Sequence, residues 1–209
     1  MTARRAGALL ATSTLITGCL VVATGSAAHA ATLPTGTRSL ESVNYPGRYV
    51  RHLDSLARID PISTAQEKLD ASFTVINGLA SPSCYSFQAK NGRFLRHRDY
   101  RLRLDANTGD ATFRADATFC AVDGSVSGSV SLVSFNYPDR RIRHRDYALW
   151  LDTVQDTAAF RADSSFTTTT AWAPKTTANP VLPGLFADPH LTYLNGRYYL
   201  YPTTDGYAG

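Results

Sequence analysis

The sequence predicts an all-β fold built from three copies of one structural unit. The first observation is a nine-residue segment that aligns three times without gaps and ends in Arg-His, at 44–52, 89–97 and 136–144. The second is that short alternating runs are separated by turn formers such as Tyr-Pro-Gly and Asn-Gly, while no stretch after residue 31 keeps a helical apolar period over three turns. Short strands with frequent turns indicate an all-β domain.

The three units predict a closed threefold arrangement, because one unit alone cannot bury its apolar face. The final histidines of the segments are 45 and 47 residues apart, a repeat length and number typical of a β-trefoil. We place this domain at 35–168, with repeats at 38–80, 83–125 and 130–168. An apolar residue stands two positions before each histidine and shares its strand face. These residues are Val50, Leu95 and Ile142.

The first 31 residues are typical of a secretory signal peptide. Arg4 and Arg5 precede a mostly apolar run, and small residues flank His29 before the expected cleavage site. We therefore expect a secreted, extracellular protein without a membrane span after cleavage. A minor alternative is a lipoprotein anchored through Cys19, because Ile16-Thr-Gly-Cys19 resembles a lipobox.

Each repeat also carries a histidine followed 18 or 19 residues later by an aspartate. The pairs are His52 with Asp70, His97 with Asp116 and His144 with Asp163. An ionised aspartate beside a neutral histidine offers both acceptors and donors to the hydroxyl groups of a ligand. The alternative is a buried structural pair that fixes a turn. The arginines between them, including Arg96 and Arg101, alternate with acids, so we interpret them as a charged strand surface.

These motifs resemble the arabinofuranose-binding domain of α-L-arabinofuranosidases, carbohydrate-binding module family 42. The resemblance covers 35–168 and rests on His-Arg-Asp-Tyr and Phe-Arg-Ala-Asp, which occur in the second and third repeats. It implies a β-trefoil with a small pocket for an arabinose side chain in each repeat. The implied ligands are His97, Asp116, His144 and Asp163, with Tyr100 and Tyr147 as pocket walls. The first repeat departs from both motifs, which weakens the assignment of His52 and Asp70.

The cysteine content and the net charge bear on two questions, whether the chain holds a disulfide or a metal and which partners it could bind. Cys84 and Cys120 follow the signal segment, and an even number in an oxidising compartment predicts one disulfide rather than a metal site. Signal removal lowers the net charge from +4 to +2, because Arg4 and Arg5 are lost and the segment holds no acid. This charge does not favour nucleic acid as a partner. We expect a monomer with no cofactor that binds arabinose-decorated plant polysaccharide.

A second unit follows the repeats. A Thr/Pro/Ala-rich linker at 169–178 precedes 179–209, where an apolar strand, Asn195-Gly196 and an aromatic strand indicate a β-hairpin. This segment resembles the start of glycoside hydrolase family 43, whose fold is a five-bladed β-propeller. The resemblance implies that Asp188 is the general base of an inverting hydrolysis, a reaction that also needs an acid partner. We therefore expect a truncated arabinofuranosidase, inactive as 209 residues; the alternative is a stand-alone binding module.

Overall fold

The structure is a computed structural model that describes residues 29–173, 187–194 and 197–203. Most of the expected signal segment lies outside the described residues, so export stays a prediction. Within its last residues, Ala30 forms an antiparallel bridge with Val122. In the part of the chain that is described, no helix has the length and hydropathy needed to cross a membrane.

Each repeat folds into three strands, a short helix and a fourth strand. The first repeat contains β1 (Gly36–Ser42), β2 (Tyr49–Leu53), β3 (Leu56–Asp60), α1 (Ala65–Asp70) and β4 (Phe73–Asn77). The second contains β5 (Tyr85–Ala89), β6 (Phe94–Arg98), β7 (Arg101–Asp105), α2 (Ala111–Asp116) and β8 (Phe119–Asp123). The third contains β9 (Ser129–Ser134), β10 (Arg140–Arg145), β11 (Ala148–Thr153), α3 (Ala158–Asp163) and β12 (Phe166–Thr170).

Six strands close into an antiparallel barrel. Strand β1 pairs with β4, β4 with β5, β5 with β8, β8 with β9, β9 with β12, and β12 returns to β1. The other strands form the hairpins β2–β3, β6–β7 and β10–β11. Pairings among β3, β7 and β11 join these hairpins to one another. A six-stranded barrel with a triplet of hairpins is a β-trefoil, which confirms the all-β prediction for the repeats.

The core repeats with the same threefold pattern as the strands. Equivalent positions of the three repeats are each at most 2% exposed: Val50, Leu95 and Ile142; Ala57, Leu102 and Leu149; Phe73, Phe119 and Phe166. Burying a valine, leucine, isoleucine or phenylalanine side chain contributes about 1.5–3 kcal/mol relative to leaving it in water. The apolar residues before the histidines therefore do face the core, as their strand position predicts.

One arginine breaks the symmetry at the centre of the hairpin triplet. The Arg101 guanidinium donates to the backbone carbonyls of Ala57 and Leu102, at 2.7 and 3.2 Å, and also to that of Leu149. These three carbonyls occupy equivalent positions in the three repeats, so one side chain joins all of them. Interpreting Arg101 as part of a charged surface was wrong, because alternation along a strand does not show which residues face a symmetry axis.

A disulfide joins Cys84 to Cys120, as predicted. It links the approach to β5 with β8, two neighbouring strands of the barrel. At the other end, β12 extends through Thr170. The strand therefore continues two residues into the segment assigned to the linker, because Thr169 and Thr170 pair with β1.

The hairpin predicted near the carboxyl end is confirmed. Strands β13 (Ala187–Leu194) and β14 (Arg197–Thr203) pair antiparallel on either side of Asn195-Gly196. This two-stranded sheet is the part of the expected propeller that the described residues include. The five-bladed propeller itself stays a prediction.

Candidate functional site

In each repeat the fold brings the histidine and the aspartate into contact, and the histidine lies near the end of a hairpin strand. The distance from the histidine Nε2 to the aspartate Oδ1 is 3.4, 3.4 and 3.5 Å in the three repeats. The pairs are those expected from the sequence: His52 with Asp70, His97 with Asp116 and His144 with Asp163.

Short capped helices hold the aspartates in place. Each aspartate is the last residue of its helix, and a residue with a β-region backbone caps the other end by accepting from a backbone N–H. The caps are Thr64, Asp110 and Thr157. In α1 the cap is reciprocal, because Glu67 accepts from Thr64 N–H, and these bonds lower the pKa of Glu67 to about 2. The helices have six residues each and are too short for the sequence to reveal by periodicity.

In the second repeat, an asparagine from the third repeat connects the pair. The Asn136 amide donates to Asp116 Oδ1 at 2.7 Å, and its carbonyl oxygen accepts from His97 Nε2 at 2.9 Å. Ser134 Oγ donates to the same carbonyl oxygen at 2.9 Å. The pocket is therefore assembled from two consecutive repeats.

The third repeat has the same network, completed by an asparagine from the first repeat. Asn44 donates to Asp163 Oδ1 at 2.7 Å and accepts from His144 Nε2 at 2.8 Å. Ser42 Oγ donates to Asn44 at 3.0 Å. Sequence reasoning missed both asparagines and interpreted only the turn residues that follow them. The signal was present, since Asn44 and Asn136 hold the same position in the aligned segments.

Sequence reasoning also missed the arginine that precedes each histidine. Arg96 Nη2 lies 2.5 Å from Asp116 Oδ2, and the Arg96 side chain is 14% exposed. Arg143 approaches Asp163 at 3.9 Å in the third repeat. Interpreting Arg96 as charged surface was therefore wrong: it turns inward and holds the aspartate carboxylate, opposite the oxygen that Asn136 occupies.

Paired tyrosines form the walls of the second and third pockets. Tyr100 and Tyr137 meet edge to face with ring centres 5.6 Å apart, and Tyr137 also packs on His97 at 5.4 Å. Tyr147 and Tyr45 repeat the arrangement at 5.6 Å. The four rings are 38–41% exposed, so each presents a face or an edge to solvent.

A strained turn presents the first tyrosine of each pair. Asp99 and Tyr100 have φ angles of 53° and 59°, and Asp146 and Tyr147 have 50° and 62°. Side chains other than glycine adopt this backbone rarely and at a cost, and such strain concentrates at binding sites. The guanidinium of Arg140 then lies 4.0 Å over the Tyr100 ring and fixes its orientation.

The histidine, asparagine and aspartate form the floor of each pocket. The second pocket opens to solvent above its floor. Its volume is about 290 Å³, and its lining includes His97, Asp116, Tyr100, Tyr137 and Thr112. That volume is near the lower limit for small-molecule sites. The pair is thus buried at the bottom of an accessible hollow, which a purely structural contact would not require.

Burial sets the charge state of the histidines. Loss of hydration lowers the pKa of His97 and of His144 below the usual value. Both rings are therefore neutral near pH 7, and their bonds to the asparagine carbonyls place the proton on Nε2. The floor then presents carboxylate oxygens as acceptors beside an oriented imidazole. In the described ranges, no three His, Cys, Asp or Glu residues are grouped as metal ligands.

The sequence profile of the alpha-L-arabinofuranosidase B (ABFB) domain family matches 27–75 and 38–168. These ranges contain all three repeats and more than half of the chain. The chain belongs to the ABFB domain family. A probable α-L-arabinofuranosidase B from Aspergillus fumigatus is 39% identical over 98 residues, which are 44% of this chain and 19% of that protein. The α-L-arabinofuranosidase of Hypocrea jecorina is 37% identical over 98 residues, 44% of this chain and 20% of that protein.

Solved structures agree with this assignment. An arabinofuranosidase complexed with arabinofuranosyl-α-1,2-xylobiose has 33% identity and a TM-score of 0.63, covering 70% of this chain and 33% of that chain. A GH54 α-L-arabinofuranosidase with a cyclic sulfate inhibitor has 32% identity and a TM-score of 0.64, with the same coverage. The BEL β-trefoil, at 17% identity and TM-score 0.52, covers 66% and 95% and supports the fold alone. The chain spans about a fifth of the length of the curated relatives it matches.

The first pocket of this ABFB domain differs from the other two. His52 and Asp70 are adjacent, but Ala89 stands where the others have the bridging asparagine. Gln66 donates to Asp70 Oδ1 at 2.7 Å instead. The two wall tyrosines are replaced by Ser55 and Lys90, according to the alignment of the repeats. The expected departure of the first repeat is therefore present in its pocket.

The expected catalytic residue lies apart from these pockets in the sequence. Asp188 is in β13, and its side chain is outside the described residues. The family match ends at residue 168, before this strand. A catalytic role for Asp188 stays a prediction.

Proposed function

We propose that this ABFB domain binds α-L-arabinofuranosyl side chains of plant polysaccharides such as arabinoxylan and arabinan. The observation that carries the proposal is the duplicated His–Asn–Asp network beneath a tyrosine pair, which in the second repeat lies at the bottom of a solvent-accessible hollow. The second and third repeats provide these two sites. One saccharide-recognising arrangement that occurs twice in the same chain favours a decorated polymer as the ligand.

The chemistry of each pocket suits a small polyhydroxylated ring. Asp116 has one carboxylate oxygen held by Arg96 and the other by Asn136, and each oxygen has a second lone pair with which to accept from a sugar hydroxyl. Hydrogen bonds to charged groups contribute about 1.5–3 kcal/mol each. Tyr100 and Tyr137 cover the apolar C–H face of the sugar. Two weak sites on one rigid domain then gain affinity on a polymer through multivalency.

The relatives support this ligand class. The solved relative that holds arabinofuranosyl-α-1,2-xylobiose is an arabinofuranosidase at 33% identity. An arabinofuranose linked to a xylose backbone is the decoration that a pentose-sized pocket would select on arabinoxylan.

For a longer parent protein we propose an exported α-L-arabinofuranosidase. The names of the curated relatives support the activity, and the signal-like residues 1–31 support export. The proposal that Asp188 is the base of an inverting, family 43-type hydrolase rests on the sequence pattern alone. The solved relatives reported above include a GH54 enzyme, which gives that assignment no support. The binding proposal does not depend on it.

Affinity electrophoresis on arabinoxylan and on unsubstituted xylan tests the binding proposal. We expect arabinoxylan alone to retard the protein, and the double variant His97→Ala/His144→Ala to lose that retardation. His52→Ala is the matched control and should keep it, since the first pocket lacks the asparagine and both tyrosines. Near-ultraviolet circular dichroism verifies that the variants are folded. Equal retardation of wild type by the two polymers would contradict the proposal.

A further inference from the structure

The first pocket keeps the polar floor of the other two pockets. His52 Nε2 lies 3.4 Å from Asp70 Oδ1, and Gln66 donates to the same oxygen at 2.7 Å. Arg51 approaches the other carboxylate oxygen at 3.8 Å. The pocket has a volume of about 250 Å³, and Leu69 contributes apolar surface to its wall. It is therefore a formed site, and its floor can still accept from a sugar hydroxyl.

The rim of the first pocket is cationic where the other rims are aromatic. Lys90 lines the hollow at the position of Tyr137 and Tyr45 in the other repeats. Arg93 is equivalent to Arg140, which lies over the Tyr100 ring at 4.0 Å. In the first repeat that tyrosine is replaced by a serine, so Arg93 has no ring to cover.

Arg93 is positioned to reach a ligand. Its side chain is exposed, and among the described residues it forms no ion pair and no ring contact. It is near enough to His52 that its charge contributes, after burial and with Arg51, to a lowered pKa of that histidine. Lys90 and Asn91, in the same turn as Arg93, line the hollow, so Arg93 lies beside its rim and not among the lining residues. A planar guanidinium binds a carboxylate through two parallel hydrogen bonds, and an ammonium adds a point charge.

We propose that the first pocket binds a hexuronic acid substituent, a sugar that carries a carboxylate, and not a neutral arabinofuranose. The sugar hydroxyls meet Asp70 and His52, while the carboxylate points outward to Arg93 and Lys90. Asp70 does not exclude such a ligand, because the acid group of the sugar lies at the opposite end of the pocket; Arg51, which pairs with Asp60 at 2.8 Å, lies 3.8 Å from the Asp70 carboxylate. The inference rests on the proposed saccharide-binding function and adds a second ligand class to it.

Glucuronoxylan without arabinose is the probe, and the same polymer with its carboxyl groups reduced to alcohols is its matched control. We expect glucuronoxylan to retard the protein and the reduced polymer not to. Arg93→Gln and Lys90→Gln should each weaken binding about tenfold, as expected for the loss of one charge-assisted contact. Arg114→Gln removes an exposed charge outside the pocket and should leave binding unchanged. His52→Ala should abolish it.

The outcomes separate this inference from general charge attraction and from the proposed function. Equal retardation by the native and the reduced polymer overturns the inference. So does a loss of glucuronoxylan binding in Arg114→Gln that equals the loss in Arg93→Gln. Weaker arabinoxylan binding by His52→Ala would also overturn it, because the first pocket would then hold arabinose. Arabinoxylan binding through the other two pockets is measured in parallel. If that binding is retained while glucuronoxylan is not bound, only this inference fails; if wild type binds neither polymer, the proposed function fails as well.

Discussion

Replacing Asn136 by alanine tests whether the bridging asparagine organises the second pocket. Asn136 accepts from His97 and Ser134, each at 2.9 Å, and donates to Asp116 at 2.7 Å. The substitution removes all three bonds and leaves the His97 N–H without its partner. It also releases one oxygen of the Asp116 carboxylate, so that both groups lose the orientation that a sugar would meet.

The expected loss of affinity follows from these bonds. A buried polar group left without its partner costs about 1–3 kcal/mol, which is a factor of about 5 to 150 in the dissociation constant. The measurement is isothermal titration with arabinofuranosyl-xylobiose in a His144→Ala background, so that the second pocket is observed without the third. Asn107→Ala is the matched control. Asn107 accepts from the Gly109 N–H in a loop before α2 and does not line the pocket.

Unchanged affinity of Asn136→Ala in that background would refute the reasoning. The histidine and aspartate, 3.4 Å apart, would then bind the sugar without the residue from the next repeat. A loss shared equally by Asn107→Ala would refute it too, since the effect would be a general one on the domain.

Three further predictions concern stability. Replacing Cys84 and Cys120 by alanine should lower the free energy of unfolding by about 3–4 kcal/mol, from the loop entropy of a 36-residue separation, and an unchanged urea midpoint would contradict this. Burial lowers the pKa of His97 and His144, so in the acid range the folded state binds fewer protons than the unfolded state. The two neutral histidines therefore contribute their full share to the free energy of unfolding above about pH 6.5. That contribution is lost as the pH falls towards the lowered pKa values. Melting temperatures at pH 7.5 and 5 should show this decrease, and the double change to glutamine should reduce it. Arg101→Met removes the hydrogen bonds to the backbone carbonyls at the axis and should lower the free energy of unfolding by about 1.5–3 kcal/mol, while arabinoxylan binding is retained. An unchanged melting temperature would be evidence that Arg101 does not stabilise the hairpin triplet.

The repeat pattern made the trefoil predictable, because three equivalent apolar rows must face one common core. It also identified the histidine–aspartate pairs, since a recurring polar residue beside a core row is visible in one sequence. The bridging asparagines were harder to recognise. His144 and Asn44 are separated by 100 residues and meet only when the barrel closes.

Other features depend on three-dimensional context that local patterns do not contain. Arg96 and Arg98 alternate with acids in the same way, yet their side chains are 14% and 47% exposed. The two residues share one face of β6, so their difference follows from their position along the strand: Arg98 is its last residue, whereas Arg96 lies further in and reaches Asp116. The central position of Arg101 likewise exists only because three hairpins meet at one axis.

The most direct test of the central claim is a nuclear magnetic resonance titration of the folded domain with arabinofuranosyl-xylobiose. We predict that the imidazole resonances of His97 and His144 shift with saturating curves, while xylobiose without the arabinose shifts neither. Resonances of both histidines that remain unchanged at millimolar ligand, or that respond equally to xylobiose, would contradict the assignment of these pockets to arabinofuranose.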